Sequence, residues 1–185
     1  MIGLASRQED NMKLLIVSDS HGNKQILNEL ASRYHNKVDA IVHCGDSELS
    51  SDDLIWEAMD SVRGNCDFDS GYQDLVVRRD QDYDYLITHG HRHDVKRTLE
   101  LLKSEAKNEN VRFVFYGHSH VLKFDYEDGI YFITPGSIQS PRGNVLERTY
   151  CVLKAEGSKL AIEVYNYKHE FLENISYSSN KLIKF

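Results

Sequence analysis

A recurring unit constrains the fold of this chain most strongly: a short apolar run that ends abruptly in residues able to bind a metal. Lys13–Val17 and Val38–Val42 are two such runs, and nearly continuous apolar runs are typical of strands covered on both faces. Between them, apolar residues recur at helical spacing, namely Ile26, Leu27, Leu30, Ala31 and Tyr34. The pattern predicts strand, helix, strand, and therefore an α/β fold.

The remaining pattern divides near residue 120. Before it we expect a short helix that starts at Ser51-Asp52-Asp53 and carries Leu54, Ile55, Ala58 and Met59 on one face. We also expect strands at 74–77, 85–88 and 111–116. A second helix is marked by Val95, Leu99, Leu102 and Ala106. After it, strand-like segments at 121–126, 131–134, 150–154 and 160–167 are separated by turn signals. The sequence predicts one domain, residues 12–185, after a flexible extension over residues 1–11. Its fold is an α/β layered sandwich with a mostly parallel and an antiparallel portion.

Five successive strand ends in the first portion carry oxygen or imidazole donors. These donors are Asp19 and His21, Asp46, Asn65, His89, and His118 and His120. Ligands of open α/β sheets lie beyond the carboxyl ends of the strands, so we expect these side chains to converge. Chance and solubility do not place metal-binding donors only at such ends.

The number and type of donors predict the metal. Seven donors exceed the roughly four- to six-fold coordination of one ion, and they suit two ions that share a bridging carboxylate. Mixed carboxylate, amide and imidazole ligands favour borderline divalent metals over calcium. Mn²⁺ is the first choice, with Mg²⁺, Fe²⁺, Zn²⁺ and Ni²⁺ as alternatives. No CxxC spacing occurs, which argues against a structural zinc site.

Composition excludes several classes of protein. No apolar run approaches the ~20 residues that span a membrane, and the N-terminus does not resemble a secretory signal. Three widely spaced cysteines fit reduced thiols in the cytoplasm. A net charge of −7 argues against a long nucleic acid as partner.

Taken in order, these motifs resemble those of the calcineurin-like metallophosphoesterase superfamily. The matching segments are Asp19-Ser20-His21, Gly45-Asp46, Gly64-Asn65-Cys66-Asp67, His89 and Gly117-His118-Ser119-His120, with a tail at Pro135-Gly136-Ser137. The chain's size and Cys66 look most like the small bacterial and archaeal phosphodiesterases, which are related to a retromer subunit. The resemblance implies a four-layer α/β/β/α sandwich.

The resemblance also implies roles for individual residues. One ion would be held by Asp19, His21, Asp46 and His120, and the other by Asp46, Asn65, His89 and His118. Asp46 would then bridge the two ions, and a hydroxide shared by them would attack phosphorus in line. Asp46, Asn65 and His91 are the residues that we predict to be catalytic.

One position departs from the superfamily. Cys66 stands where most members have a histidine that protonates the leaving group, and a thiol with a pKa of about 8.5 is a poor replacement. We therefore expect diesters as substrates. His91 could act as the acid or contact phosphate, or it could be a solvent-facing loop histidine.

Other polar residues admit a structural interpretation. Asn23 is expected to cap a helix, with contact to phosphate as the alternative. His43 is expected to be an interior histidine. Arg92, Lys96 and Arg97 could steer an anionic substrate or mark an exposed helix start.

These observations together predict a two-metal phosphodiesterase that acts on a small phosphorylated molecule, with no membrane partner. Self-association into a homo-oligomer is left open. The alternatives are a non-catalytic protein-binding scaffold of the same fold, and a phosphomonoesterase or dinucleotide hydrolase.

Overall fold

The computed structural model describes residues 11–79, 83–157, 159–178 and 181–184. The extension predicted for residues 1–11 lies outside this part except for Asn11, which is the first residue of a strand. The strands before residue 120 are β1 (Asn11–Val17), β2 (Ala40–His43), β3 (Asp60–Ser61), β4 (Leu75–Arg79), β5 (Asp84–Thr88) and β6 (Phe113–Phe115). Those after it are β7 (Leu122–Glu127), β8 (Ile130–Pro135), β9 (Thr149–Glu156), β10 (Lys159–Asn166), β11 (Phe171–Ser178) and β12 (Lys181–Lys184). The helices are α1 (Lys24–Tyr34), a 3₁₀ helix (Leu54–Glu57) and α2 (Glu100–Asn108).

The strands form two mixed sheets. The first has seven strands in the order β12-β11-β10-β9-β1-β2-β3, and the second has five in the order β4-β5-β6-β8-β7. β1 is parallel to β2, with Leu14 opposite Ala40, and antiparallel to β9, with Leu14 opposite Leu153. β6 is parallel to both β5 and β8. The strands that the sequence predicts as one parallel portion are thus shared between two sheets.

Alternation along β1 shows how the layers stack. Leu14 and Ile16 belong to the apolar core between the two sheets, whereas Leu15 and Val17 face the opposite way and pack with α1. Successive side chains of a strand point to opposite faces, so one strand serves both interfaces. A third core joins α2 to the far face of the five-stranded sheet. The four-layer α/β/β/α sandwich is therefore confirmed.

The helix predicted from Ser51 to Met59 is wrong in length and in face. Only a single 3₁₀ turn forms, and Leu54 is 76% exposed while Ile55 and Met59 are buried. Asp69 accepts a hydrogen bond from the Ser51 amide at 2.8 Å, so the segment is tied to a neighbouring loop. β3 begins directly afterwards and pairs with β2, with Asp60 opposite Val42, so the chain must leave a helical path by residue 59.

Two other features differ from the pattern. Val95 lies in a series of turns over residues 91–97, and α2 begins only at Glu100. β11 and β12 extend the seven-stranded sheet without having been predicted. In the described part of the chain, no helix is long and apolar enough to cross a membrane.

Candidate metal centre

The loops that follow β1, β2, β3, β5 and β6 bring the predicted ligands to one end of the sandwich. Five of these ligands have left-handed backbone conformations, namely Asp19 (φ 55°), His21 (φ 42°), Asp46 (φ 54°), His118 (φ 66°) and His120 (φ 59°). Such conformations are uncommon outside glycine and cluster where the structure over-determines them, often at functional sites. The backbone of these loops therefore adopts uncommon conformations at the residues whose side chains are the candidate ligands.

The first predicted ligand set forms a compact cluster. One ligand atom from each of Asp19, His21, Asp46 and His120 lies within 4.8 Å of the others. Nε2 of His120 is 3.1 Å from Oδ1 of Asp19 and 3.3 Å from Nε2 of His21. These side chains can hold a metal ion.

The second set adjoins the first through His89. Its Nε2 atom lies 3.3 Å from Oδ2 of Asp46, 3.2 Å from Oδ1 of Asn65 and 3.9 Å from Oδ1 of Asp19. The ring of His118 is centred 5.2 Å from that of His89. The structure thus brings all seven predicted ligands to one region.

Hydrogen bonds orient three of the imidazoles. Nδ1 of His21 lies 2.7 Å from Oε1 of Glu48, Nδ1 of His89 lies 2.7 Å from the carbonyl oxygen of Cys44, and Nδ1 of His120 lies 2.7 Å from that of Ser140. Each Nδ1–H can therefore donate outward, which leaves the Nε2 lone pair directed into the cluster. This is the arrangement by which proteins fix metal-binding histidines.

One carboxylate oxygen inside the cluster receives no hydrogen bond from the described residues. Oδ1 of Asp19 is buried and has no hydrogen-bond partner among the described residues. Lone pairs of imidazole nitrogens and carboxylate oxygens would repel one another unless a proton or a cation lay between them. The donor set therefore fits a divalent cation.

The electrostatics of the imidazoles agree with this placement. Burial opposes protonation of His89, but the carboxylates of Asp46 and Asp19 outweigh it and raise its pKa. Contact with Asp19 likewise raises the pKa of His120. Burial, followed by the charges of His89 and Lys96, lowers the pKa of His118 to about 4. The carboxylates attract positive charge, while His118 stays neutral and able to act as a ligand.

Asp67 supports the centre, and the sequence analysis gave it no role. Its Oδ2 atom accepts hydrogen bonds from the amides of Asp46 (2.8 Å) and Gly64 (2.7 Å). Its Oδ1 atom accepts from the Glu48 amide at 2.7 Å and from the Ser47 hydroxyl at 3.1 Å. The only sequence signal was its place at the end of the Gly64–Asp67 motif.

Two glycines allow backbone to lie directly against the carboxylates. A Cβ atom at Gly64 would lie 2.0 Å from Oδ1 of Asp46. One at Gly117 would lie 2.1 Å from Oγ of Ser18 and 2.7 Å from Oδ2 of Asp19. Both sites exclude any side chain, which explains glycine in these two motifs.

His91 and Cys66 lie at the edge of the cluster. The His91 ring is 5.4 Å from that of His89 and 6.1 Å from that of His118. Its Nδ1 atom is buried without a hydrogen-bond partner among the described residues, and burial lowers its pKa. Burial and the charge of Asp46 raise the pKa of Cys66 to about 11. That thiol is a weaker acid than an ordinary cysteine.

The structural interpretations of Asn23 and His43 are confirmed. Asn23 caps α1 by accepting a hydrogen bond from the Ile26 amide at 3.3 Å. His43 is buried between the Ser20 hydroxyl (2.9 Å) and the Gly45 amide (3.2 Å), and burial lowers its pKa to about 4.

The predicted basic cluster is partly neutralised. Arg92 pairs with Asp74 at 2.9 Å, and Arg97 pairs with Asp94 at 3.4 Å. Arg92, Lys96 and Arg97 lie in the turns over residues 91–97, because α2 begins later than predicted.

Comparison with known proteins identifies the family. The model of the calcineurin-like phosphoesterase superfamily domain matches residues 12–158. YsnB of Bacillus subtilis, described as a probable metallophosphoesterase, is 34% identical over 164 residues, which cover 89% of this chain and 96% of YsnB. The crystal structure of a predicted phosphoesterase from Streptococcus pneumoniae has a TM-score of 0.87 at 34% identity and covers 95% of this chain and 98% of the other.

A more distant structure shares the fold alone. Vps29 of Entamoeba histolytica, solved in complex with Zn²⁺, has a TM-score of 0.69 at 18% identity, with 89% of this chain and 99% of that chain covered. The ordered motifs, the four layers and the Asp/His cluster agree with these matches. The chain therefore belongs to the calcineurin-like metallophosphoesterase superfamily, where it resembles the small bacterial phosphoesterases of the YsnB type.

Proposed function

We propose that this protein is a metal-dependent phosphodiesterase that acts on a small phosphorylated molecule. One observation carries the proposal: the Nε2 atoms of His21, His89 and His120 converge with the carboxylates of Asp19 and Asp46. The Nδ1 atoms of the same three rings are hydrogen-bonded to groups outside the cluster. A purely structural histidine cluster would not direct its lone pairs toward one another.

Two ligand sets meeting at Asp46 support a binuclear site. Oδ1 of Asp46 accepts a hydrogen bond from the Cys66 amide at 2.7 Å, and Oδ2 faces His89 at 3.3 Å. Asp46 thus lies between the two ligand sets, where one carboxylate could serve both ions. When bound, two divalent ions, with Mn²⁺ as the first choice, would activate a water and offset charge on the phosphate.

The protein's own side chains would position the diester and hydrogen-bond to it during proton transfer. In hydrolysis, the oxygen of water bonds to phosphorus in line with the leaving alcohol, the bond from phosphorus to that alcohol breaks, and a proton passes to the leaving oxygen. His91 adjoins His89 and His118, and its lowered pKa favours a neutral ring. Its N–H would therefore donate a hydrogen bond to a phosphate oxygen, and the proton for the leaving oxygen would come from water. The raised pKa of Cys66 argues against the thiol as the acid.

Among the described residues, neither the Cys66 thiol nor a neutral His91 is a strong acid, which favours diesters with good leaving groups over unactivated monoesters. A non-catalytic scaffold would not need seven donors in one cluster. Monoester hydrolysis remains a distinguishable outcome of the test below.

The test compares wild-type protein with Asp46→Asn in the presence of Mn²⁺. Bis(p-nitrophenyl) phosphate serves as diester and p-nitrophenyl phosphate as monoester, and bound metal is measured in parallel. Asp128→Asn, on an exposed hairpin turn, is the control for loss of one carboxylate. We expect wild type and control to cleave the diester faster than the monoester, and Asp46→Asn to lose at least about a hundredfold in rate together with bound metal. Full activity and full metal content in Asp46→Asn would contradict the proposal.

A further inference from the structure

A groove of about 600 Å³ runs beside the metal centre. Its lining includes the segment 95–100, which leads into α2, and also Ser119, Val121 and Arg142. Ser119 lies between two candidate histidine ligands, so the groove opens next to the place where the scissile phosphate would bind.

The groove is rich in cations for a protein of net charge −7. Its lining contains Lys96, Arg97, Lys123 and Arg142, against the acidic side chains of Glu100 and Glu127. Both glutamates contact Lys103, at 2.8 and 3.0 Å. Their charge is therefore already partly compensated within the protein.

Two of the four cations have no carboxylate partner within the described part of the chain. Arg97 pairs with Asp94 at 3.4 Å, and Lys123 pairs with Asp125 at 2.8 Å. Among the described residues, neither Lys96 nor Arg142 forms an ion pair or a side-chain hydrogen bond. Both side chains are exposed and can bind an anion from solution.

The backbone fixes Arg142 relative to the metal centre. Its amide donates a hydrogen bond to the carbonyl oxygen of His120 at 2.9 Å, and it pairs with Val121 in an isolated β-bridge. The same segment accepts the Nδ1 hydrogen bond of His120 through the Ser140 carbonyl. The guanidinium therefore projects from a segment that is attached directly to a candidate ligand.

Lys96 is held in place by a folded turn. The amides of Arg97 and Thr98 both donate to the Asp94 carbonyl, at 2.9 and 3.2 Å. Val95 packs so closely on Gly90 that a Cβ there would lie 2.9 Å from Cγ2 of Val95. The turn is thus anchored beside His89, and the Lys96 ammonium is near enough to act electrostatically on His118.

We propose that Lys96 and Arg142 bind a second anionic group, a phosphate or a carboxylate, on the part of the substrate distant from the scissile phosphorus. This inference rests on the proposed function and narrows its substrate class to diesters that carry an additional negative charge. An exposed charge pair contributes up to about 1 kcal/mol, which corresponds to about fivefold in affinity for each cation.

The test uses three p-nitrophenyl phosphodiesters whose second substituent is ethyl, carboxyethyl or phosphonooxyethyl. They are assayed with wild type, Lys96→Gln, Arg142→Gln and the double variant. Lys37→Gln is the matched control, because Lys37 is an exposed lysine near the start of β2, at the opposite end of the strand from Asp46. We expect KM for an anionic diester to rise about fivefold in each single variant and further in the double variant. Neither kcat nor the KM for the ethyl diester should change by more than about twofold, and the control should behave as wild type.

The outcomes separate this inference from the proposed function. If the KM of the phosphonooxyethyl diester rises more in the variants than that of the carboxyethyl diester, phosphate is the preferred group, and the reverse result identifies carboxylate. Hydrolysis of the ethyl diester with no selective KM effect on either anionic diester would overturn the inference alone. Failure of wild type to hydrolyse any of the three would overturn the proposed function and this inference with it.

Discussion

At the scale of single residues, Asp67 links the loops that present Asp46 and Asn65. Each of its two oxygens accepts two hydrogen bonds, so an amide in its place must turn an NH₂ group toward N–H or O–H donors. We predict that Asp67→Asn weakens Mn²⁺ binding about 10- to 100-fold, the usual effect of losing an outer hydrogen-bond partner of a metal ligand. Isothermal titration calorimetry would measure this change.

Asp69→Asn is the matched control for that variant. Asp69 also ties loops together, by accepting hydrogen bonds from the amides of Ser51 and Gly71, and these bonds lower its pKa to about 2. Its partners do not include a candidate ligand. The control should therefore lower the melting temperature while leaving Mn²⁺ affinity near wild type, and equal losses of affinity in both variants would refute a specific role for Asp67.

The sequence is most informative about residues whose chemistry and position coincide. His118 and His120 follow a buried strand, and together with the donors at four other strand ends they indicate a metal site. Asp67 could not be assigned in this way, since its four donors come from residues 46–48 and from Gly64, which only the folded chain brings together. The left-handed backbone conformations of Asp19 and Asp46 could not be predicted either, because only glycine adopts a positive φ often enough for the residue type to indicate it.

At the scale of elements, two adjacent leucines of α2 test the outer layer. Leu102 is fully buried against the five-stranded sheet, whereas Leu101 is 54% exposed. We predict that Leu102→Ala lowers the free energy of unfolding by about 2–5 kcal/mol, through lost burial and a new cavity. Leu101→Ala should change it by about 0.5 kcal/mol or less. Urea denaturation measures both, and similar values for the two would contradict the layer assignment.

Elements with a strong local period could be predicted, and those set by distant contacts could not. Ile26, Leu27 and Leu30 of α1 recur at helical spacing and are buried as expected. The segment around Leu54 has a similar pattern, yet the pairing of the following strand β3 with β2 limits it to a 3₁₀ turn. β11 forms a strand by pairing with β10, a contact that its own sequence does not signal.

At the scale of the whole molecule, the assignment of individual strands to the two sheets was not predicted. The change of pattern near residue 120 indicated two kinds of β-structure, but β1 lies beside β9, with Leu14 opposite Leu153. Such pairing joins strands that are remote in sequence, and apolar content alone does not choose the partner. The four layers were nevertheless predicted, through the resemblance of the motifs.

The cluster of donors also predicts how stability depends on metal and pH. Without metal, the raised pKa values of His89 and His120 mean that protonation stabilises the folded state. That contribution is complete below the ordinary histidine pKa of about 6.5 and is lost as pH rises through the higher folded-state values. Protons and metal compete for the same Nε2 atoms, so metal binding strengthens as pH rises.

We therefore predict that Mn²⁺ raises the melting temperature over that of EDTA-treated protein, and more so at about pH 8 than at about pH 6. Differential scanning fluorimetry at both pH values measures this difference. His169→Gln, which alters a histidine outside the cluster beside Glu29, should keep the wild-type dependence. A metal effect that is constant across this pH range would argue against histidine ligands.

The most direct measurement of the central claim is anomalous X-ray diffraction from crystals grown with Mn²⁺. The account predicts two manganese peaks within one site, the first bound by Asp19, His21 and His120, the second by Asn65, His89 and His118, and both by Asp46. Manganese bound only elsewhere, or fully occupied crystals in which Asp46 contacts no metal, would contradict it.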